Sequence, residues 1–240
     1  MSGSHYIALS GLRARADDLD RIASDIANLG TAGYKGERMS RAVAERSAFD
    51  RTLETAIDTT FGGRRMDARD GAIAGTGRPL DLALDGPGFF VVSTPAGDRY
   101  TRNGHFTLNA ERQLVTEDGL PVKGAGGPIT VGTDGEIRVD ADGTVWTGAT
   151  RSGQLEIVEF ADPGLMTRDT GSLLASGGQA AAAAKAPNVH AGSLEQSNVT
   201  VSDRLAELTT VTRGFEALQK ALSVLMNEID GRAVESLGRR

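Results

Sequence analysis

Apolar positions along the chain follow two different periods. From residue 7 to residue 29 they recur at helical spacing: Leu12, Leu19 and Ile26 are seven apart, with Leu9, Ile22 and Leu29 three positions from members of that row. This spacing places one apolar stripe on one side of a helix. The other face carries Arg13, Arg15, Asp17, Asp18, Arg21 and Asp25, charges of both signs, where a membrane-surface helix is more often basic. Gly30 and Gly33 tolerate positive φ and predict the helix end. At the far end of the chain Val201, Leu208, Phe215, Leu222 and Ile229 recur every seven residues, and Leu205, Thr212 and Met226 complete an a/d-like row. Val211, Leu218 and Leu225 form a further row beside it. Ser202 and Asp203 offer N-caps and Gly231 a stop, which predicts a helix roughly 43 Å long at about 1.5 Å per residue. Pairing the two ends covers one stripe on each. The second C-terminal row then needs another cover, from the middle of the chain or from further copies of the same helices.

Between the helices the period shortens. Strands are predicted at residues 80–84, 89–93, 99–101, 105–108 and 113–116, with turns at Asp85-Gly86, Asn103-Gly104 and Asp118-Gly119. Further hairpins turn at Asp134-Gly135 and Asp142-Gly143, and residues 153–160 close the series. The spacing predicts a compact antiparallel β domain over residues 78–162. The Gly/Ala-rich stretches on either side have no period and read as extended connectors.

Composition narrows the classes of function. The chain has 240 residues, 39% hydrophobic and 24% charged, which suits a globular protein with a modest core. Its net charge of −6, with no Lys/Arg run, gives no overall attraction to nucleic acid or anionic lipid. The absence of cysteine excludes disulfides and thiolate metal sites. No basic n-region leads into an apolar h-region and no apolar run approaches 18 residues, so neither a cleavable signal nor membrane insertion is expected.

Candidate chemistry is sparse. "DADG" at residues 140–143 matches the start of a calcium loop but lacks the third oxygen ligand and the later glutamate, and reads as a β-turn. His5, His105 and His190 are far apart in sequence. There is no G-x-x-x-x-G-K-[ST] phosphate cradle and no G-x-S-x-G elbow. A carboxylate pair assembled by the fold is the one route left to a hydrolase. The reading is therefore a non-enzyme with no catalytic, cofactor-binding or metal residues. The alternative is a β-domain enzyme with helical oligomerisation arms.

"SDIANLGTAGYKGE" resembles the N-terminal signature of bacterial flagellar rod and hook proteins, carried here by Asn28, Thr31, Gly33, Tyr34 and Lys35. "GPGFFVV", "YTRNGHFTLNAERQLVTEDGLPVKG", and "LEQSNV" followed by "TRGFEAL" are similar to that family's other hallmarks and occur in its order. One departure is Asp25, where the family more often has Asn. The resemblance implies an α+β fold with a discontinuous α-helical coiled-coil domain made from the N- and C-terminal helices (residues 1–35 and 198–240). Extended connectors (36–77 and 163–197) would lead to the central antiparallel β domain (78–162). It implies a structural subunit of the flagellar basal-body rod, assembling helically into a drive shaft that transmits torque and encloses the export channel. Length favours the family's proximal-rod F type, with the distal-rod G type as runner-up. The implied partners are further copies of the chain, rod proteins of the B, C and G types, and the flagellar type III export apparatus, in a rod that spans the periplasm. The assembly residues expected are Leu12, Leu19, Ile22 and Ile26 on the first helix and Leu205, Leu208, Phe215, Leu222, Met226 and Ile229 on the second.

Overall fold

A computed structural model describes residues 2–39 and 64–237, with side chains for 11–38, 64–217, 219, 220 and 223. The chain divides into two compact units, one of Met1–Ala27, Met39–Gly63 and Val201–Arg240, the other of Asn28–Arg38 and Arg64–Thr200.

The first unit contains the helices Ser2–Ala27 and Val201–Leu237. The second helix runs through Gly214 and on past Gly231, where a stop was expected. A helical glycine costs only about 1 kcal/mol relative to alanine, too little by itself to end a helix of 37 residues.

The expected coiled-coil domain is overturned. The described residues contain only these two α-helices against nineteen strands, so the fold is mostly β. Where the helices meet, the approaching groups are charged. Arg204 Nε lies 2.9 Å and Arg21 Nη1 3.6 Å from Asp25 Oδ2, and the Glu207 carboxylate binds both Arg21 and Arg204. Arg21 and Asp25, which the periodicity puts on a solvated face, are 4% and 1% exposed. The deepest positions of the first helix are Ala14, Arg21, Ile22 and Asp25, while Leu12, Leu19 and Ile26 are half-buried. On the second helix Val211 is buried, Leu208 and Phe215 are half-buried, and Val201 and Leu205 are 52% and 50% exposed. Leu222, Met226 and Ile229 fall outside the described side chains. Two guanidiniums and two carboxylates tolerate burial because each charge faces its opposite. An apolar knobs-into-holes seam cannot occupy the same positions. Burial pushes the Glu207 carboxyl up, but hydrogen bonds from Arg21 and Arg204 outweigh it and hold it below its ordinary value.

The second unit is built from short antiparallel strands. The largest sheet has six, in the order Thr167–Arg168, Leu174–Ala175, Gly97–Thr101, Phe89–Thr94, Ile157–Glu159 and Ala182–Ala183. Side chains alternate along a strand, so the unbroken apolar run at residues 89–92, which opens the strand Phe89–Thr94, buries both faces. Phe90 packs with Leu82, Phe106, Leu114 and Val122 on one side, and Phe89 and Val91 pack with Met66, Val158, Phe160 and Leu174 on the other. The Phe90 and Phe106 rings meet edge to face with centroids 5.2 Å apart. Hairpins Phe106–Leu108 with Leu114–Thr116, and Ile137–Val139 with Thr144–Thr147 and Thr150–Gln154, extend the first of these cores.

Two pairings join early chain to late chain. Leu82–Leu84 pairs with Val189–Ala191, and Ile73–Gly75 with Ser193–Glu195. Gly104 marks a close crossing between the Asn103 turn and the first of these strands: a Cβ there would stand 1.6 Å from the Leu82 carbonyl oxygen. The 140–143 segment is a turn, with Gly143 at φ +81° and Asp142 Oδ1 accepting from Thr144 N at 2.9 Å.

Phe90→Ala removes a side chain that is 0% exposed. It should lower the unfolding free energy by about 3–5 kcal/mol, read as a shift of the urea midpoint followed through the single tryptophan, Trp146.

Candidate functional site

The segment that follows the first helix opens the β unit by folding back on itself. Thr31 N donates to Asn28 O at 3.1 Å, Thr31 Oγ1 donates to Asn28 Oδ1 at 3.1 Å, and Tyr34 N donates to Thr31 O at 3.2 Å. Gly33 has φ +66°, and a Cβ on it would lie 2.2 Å from the Arg102 carbonyl carbon, so a side chain is excluded by conformation and by space alike. Gly30, expected to share this role, is not among the glycines with positive φ. Tyr34 is buried with the Arg168 guanidinium 4.1 Å from its ring centre, and Arg168 Nη2 donates to Lys35 O at 2.7 Å.

Lys35 then points inward, its side chain 2% exposed. Its Nζ donates to Glu195 Oε1 at 2.6 Å and to Arg69 O at 2.7 Å, with Asp70 Oδ1 at 3.6 Å. Glu195 is 1% exposed and fully occupied: Oε1 also accepts from Gly71 N at 2.8 Å, and Oε2 accepts from Arg102 Nη1 at 3.1 Å. Arg102 also donates through Nη1 to Leu84 O at 3.2 Å and through Nη2 to Gly86 O at 2.6 Å. The backbone closes the same joint, Gly33 N donating to Glu195 O at 2.7 Å and Asn198 N to Tyr34 O at 3.2 Å. The Asn198 side chain accepts from Gly36 N at 2.9 Å and donates to Asp67 O and Arg69 O, both at 2.8 Å. Asn28, Thr31, Gly33, Tyr34 and Lys35 thus shape or fill one clasp that binds residues 33–36 to residues 195–198. Sequence reasoning singled out those five residues but not Glu195, Asn198, Arg102 or Arg168. Glu195 and Asn198 stand in "LEQSNV", whose distinctiveness was the available signal.

The arrangement suits holding better than turnover, because the charged groups are consumed by one another and shielded from solvent. Among the described residues no three His, Cys, Asp or Glu side chains converge on a metal position. His105 Nδ1 meets Asp81 Oδ1 at 2.9 Å and His190 Nε2 meets Asp85 Oδ2 at 3.5 Å, each a pair and not a ligand set.

Residues 83–147 match the family described as flagellar hook protein FlgE/F/G D1 domain, and residues 190–232 match flagellar basal body rod FlgEFG protein C-terminal. The flagellar basal-body rod protein FlgF of Caulobacter vibrioides is 33% identical over 245 residues, spanning 100% of this chain and 99% of that protein. The chain belongs to the flagellar basal-body rod protein family. FlgF of Rhizobium meliloti is 33% identical across 97% of both chains, and FlgG of Bacillus subtilis is 32% identical across 93% of this chain and 95% of its own. In this rod-family chain Arg102 lies in the first matched segment and Glu195 and Asn198 in the second, whereas Lys35 precedes both.

Removing one partner of a buried pair strands the other, so Lys35→Met should cost this rod-family chain about 3–5 kcal/mol of stability. Combined with Glu195→Gln, it should cost less than the sum of the two single changes, in a double-mutant cycle read by urea unfolding. The clasp's neighbour Asp67 gives a pH dependence. Burial pushes its carboxyl up, but hydrogen bonds from Arg69 and the charges of Arg38 and Arg69 bring it below its ordinary 3.8. A depressed folded value means that its stabilising contribution is complete above 3.8 and is lost as pH falls from there through the lower folded value. Asp67→Asn should therefore flatten the acid limb of a stability-versus-pH curve below pH 4 and leave its neutral slope unchanged.

Proposed function

We infer that this chain is a structural subunit of the flagellar basal-body rod, of the F type. Similarity that runs end to end to basal-body rod proteins carries the reading. It favours the F type because relatives named FlgF span 97% or more of the chain, whereas those named FlgG span 90–93%. Its work is mechanical: the clasp anchors both ends of the β unit with buried charge, which resists shear between them better than an exposed pair would. Neighbouring subunits, copies of this chain and rod proteins of the B, C and G types, would cover the apolar surface left on the helices. That surface includes Leu205 at 50% exposure and the half-buried Leu12, Leu19, Ile26, Leu208 and Phe215, whereas Ile22 is already buried; Leu222, Met226 and Ile229 continue the heptad spacing in the sequence. On this reading the subunit reaches the periplasmic rod through the flagellar type III apparatus.

Deleting the gene should abolish swimming and rod recovery, and basal bodies from the parent strain should contain the chain; a motile deletion strain with intact rods overturns the reading. Leu222→Asp, with export of the subunit checked separately, should prevent rod recovery because it places a carboxylate among apolar neighbours. Lys220→Glu, off that row, should still build rods.

A further inference from the structure

A cleft of about 200 Å³ opens in the β unit beside the clasp. Its apolar lining comes from Phe89, Phe160, Pro87 and Pro163, and its charged lining from Arg102, Asp70 and Glu159. The volume is below the range of about 300–1,000 Å³ usual for small-molecule sites, and suits a single long side chain.

One charge in the cleft is left over. Arg102 and Lys35 are taken up by two carboxylates, Glu195 and Asp70. Glu195 is held by both cations at 3.1 and 2.6 Å, and Asp70 lies 3.4 Å from Arg102 Nη2 and 3.6 Å from Lys35 Nζ. Glu159 is half-buried and has no ion-pair or hydrogen-bond partner for its carboxylate among the described residues. Its backbone is fixed in the strand Ile157–Glu159, paired with Ala182, so its place beside the aromatic wall is set by the sheet. A negative charge left over in a cleft walled by two phenylalanines and two prolines is complementary to a cation on a long apolar stem. The planar guanidinium of arginine can face a carboxylate and lie against an aromatic ring at once.

We propose that this cleft receives an arginine side chain from the adjoining rod subunit, with Glu159 as its counter-ion and Phe89 and Phe160 as its walls. The proposal rests on the rod reading and adds a socket on the β unit, apart from the helices. A second copy of the chain, another rod-family protein, a free polyamine and a segment of the same polypeptide are distinct occupants that one experiment separates.

Full-length chain carrying the photo-crosslinker p-benzoylphenylalanine at Ala68, an exposed residue of the cleft lining, is expressed in cells lacking the native gene. Basal bodies are irradiated and cross-linked peptides sequenced, with Ala110, an exposed turn residue outside the cleft, as control. The expected result is a cross-link from Ala68, absent from Ala110, to an arginine-containing peptide of a neighbouring rod subunit. Glu159→Arg should abolish that cross-link and reduce incorporation into rods at least tenfold, and Glu159→Gln should weaken both, with thermal midpoints of the purified chains unchanged. A cross-link confined to the same polypeptide or to a non-rod partner, or none in rods that contain the chain, overturns the socket and leaves the rod reading standing. So does a Glu159→Arg chain that folds and builds rods normally. Absence of the unsubstituted chain from basal bodies overturns both.

Discussion

The contact between Lys35 Nζ and Glu195 Oε1 holds the β unit closed. A lysine and a glutamate at 2% and 0% side-chain exposure each forfeit several kcal/mol of hydration. They are tolerated only because every polar atom of the pair is answered: Arg102 and the Gly71 amide complete the carboxylate, and the Arg69 carbonyl and Asp70 complete the ammonium. The surrounding geometry follows from that requirement. Gly33 has no side chain, so the backbone can approach Arg102 closely enough for Lys35 to enter. Tyr34 is pinned beneath Arg168, which also holds the Lys35 carbonyl. Asn198 then ties together three backbone segments that an apolar residue could not join.

The helical unit uses the same physics with a different result. Its cluster of Arg21, Asp25, Arg204 and Glu207 replaces the apolar seam that heptad spacing suggests. Leucines are counted as inward and arginines as outward when a stripe is read from sequence. That convention fails here because opposite charges on the two helices compensate one another. Arg204 alone gave no hint of this, since its counter-ion Asp25 stands far away in the chain.

Legibility followed locality. The turns at Gly86, Gly119, Gly135 and Gly143 were readable because an Asp before a glycine of positive φ is a signal contained in two residues. The strand Phe89–Thr94 was readable because it opens with four consecutive apolar residues, all of them buried. Pairings such as Ile73–Gly75 with Ser193–Glu195 were not, because three residues carry no measurable period and their partners are remote. Lys35 and Tyr34 stood out as a signature, yet their task was invisible until Glu195 and Arg168 were placed beside them.

Separation along the chain also orders the folding of this unit. The strands Phe89–Thr94 and Gly97–Thr101 meet across a two-residue turn, whereas Lys35 and Glu195 are 160 positions apart. Closing a loop of that length from an open chain costs roughly 4–5 kcal/mol in entropy. The hairpins, which close short loops, form first and shorten the path that remains. Residues 28–36 are among the first of the unit to be synthesised, and their partners at 195–198 are among its last, so this opening segment cannot be clasped until nearly all of the unit has been made.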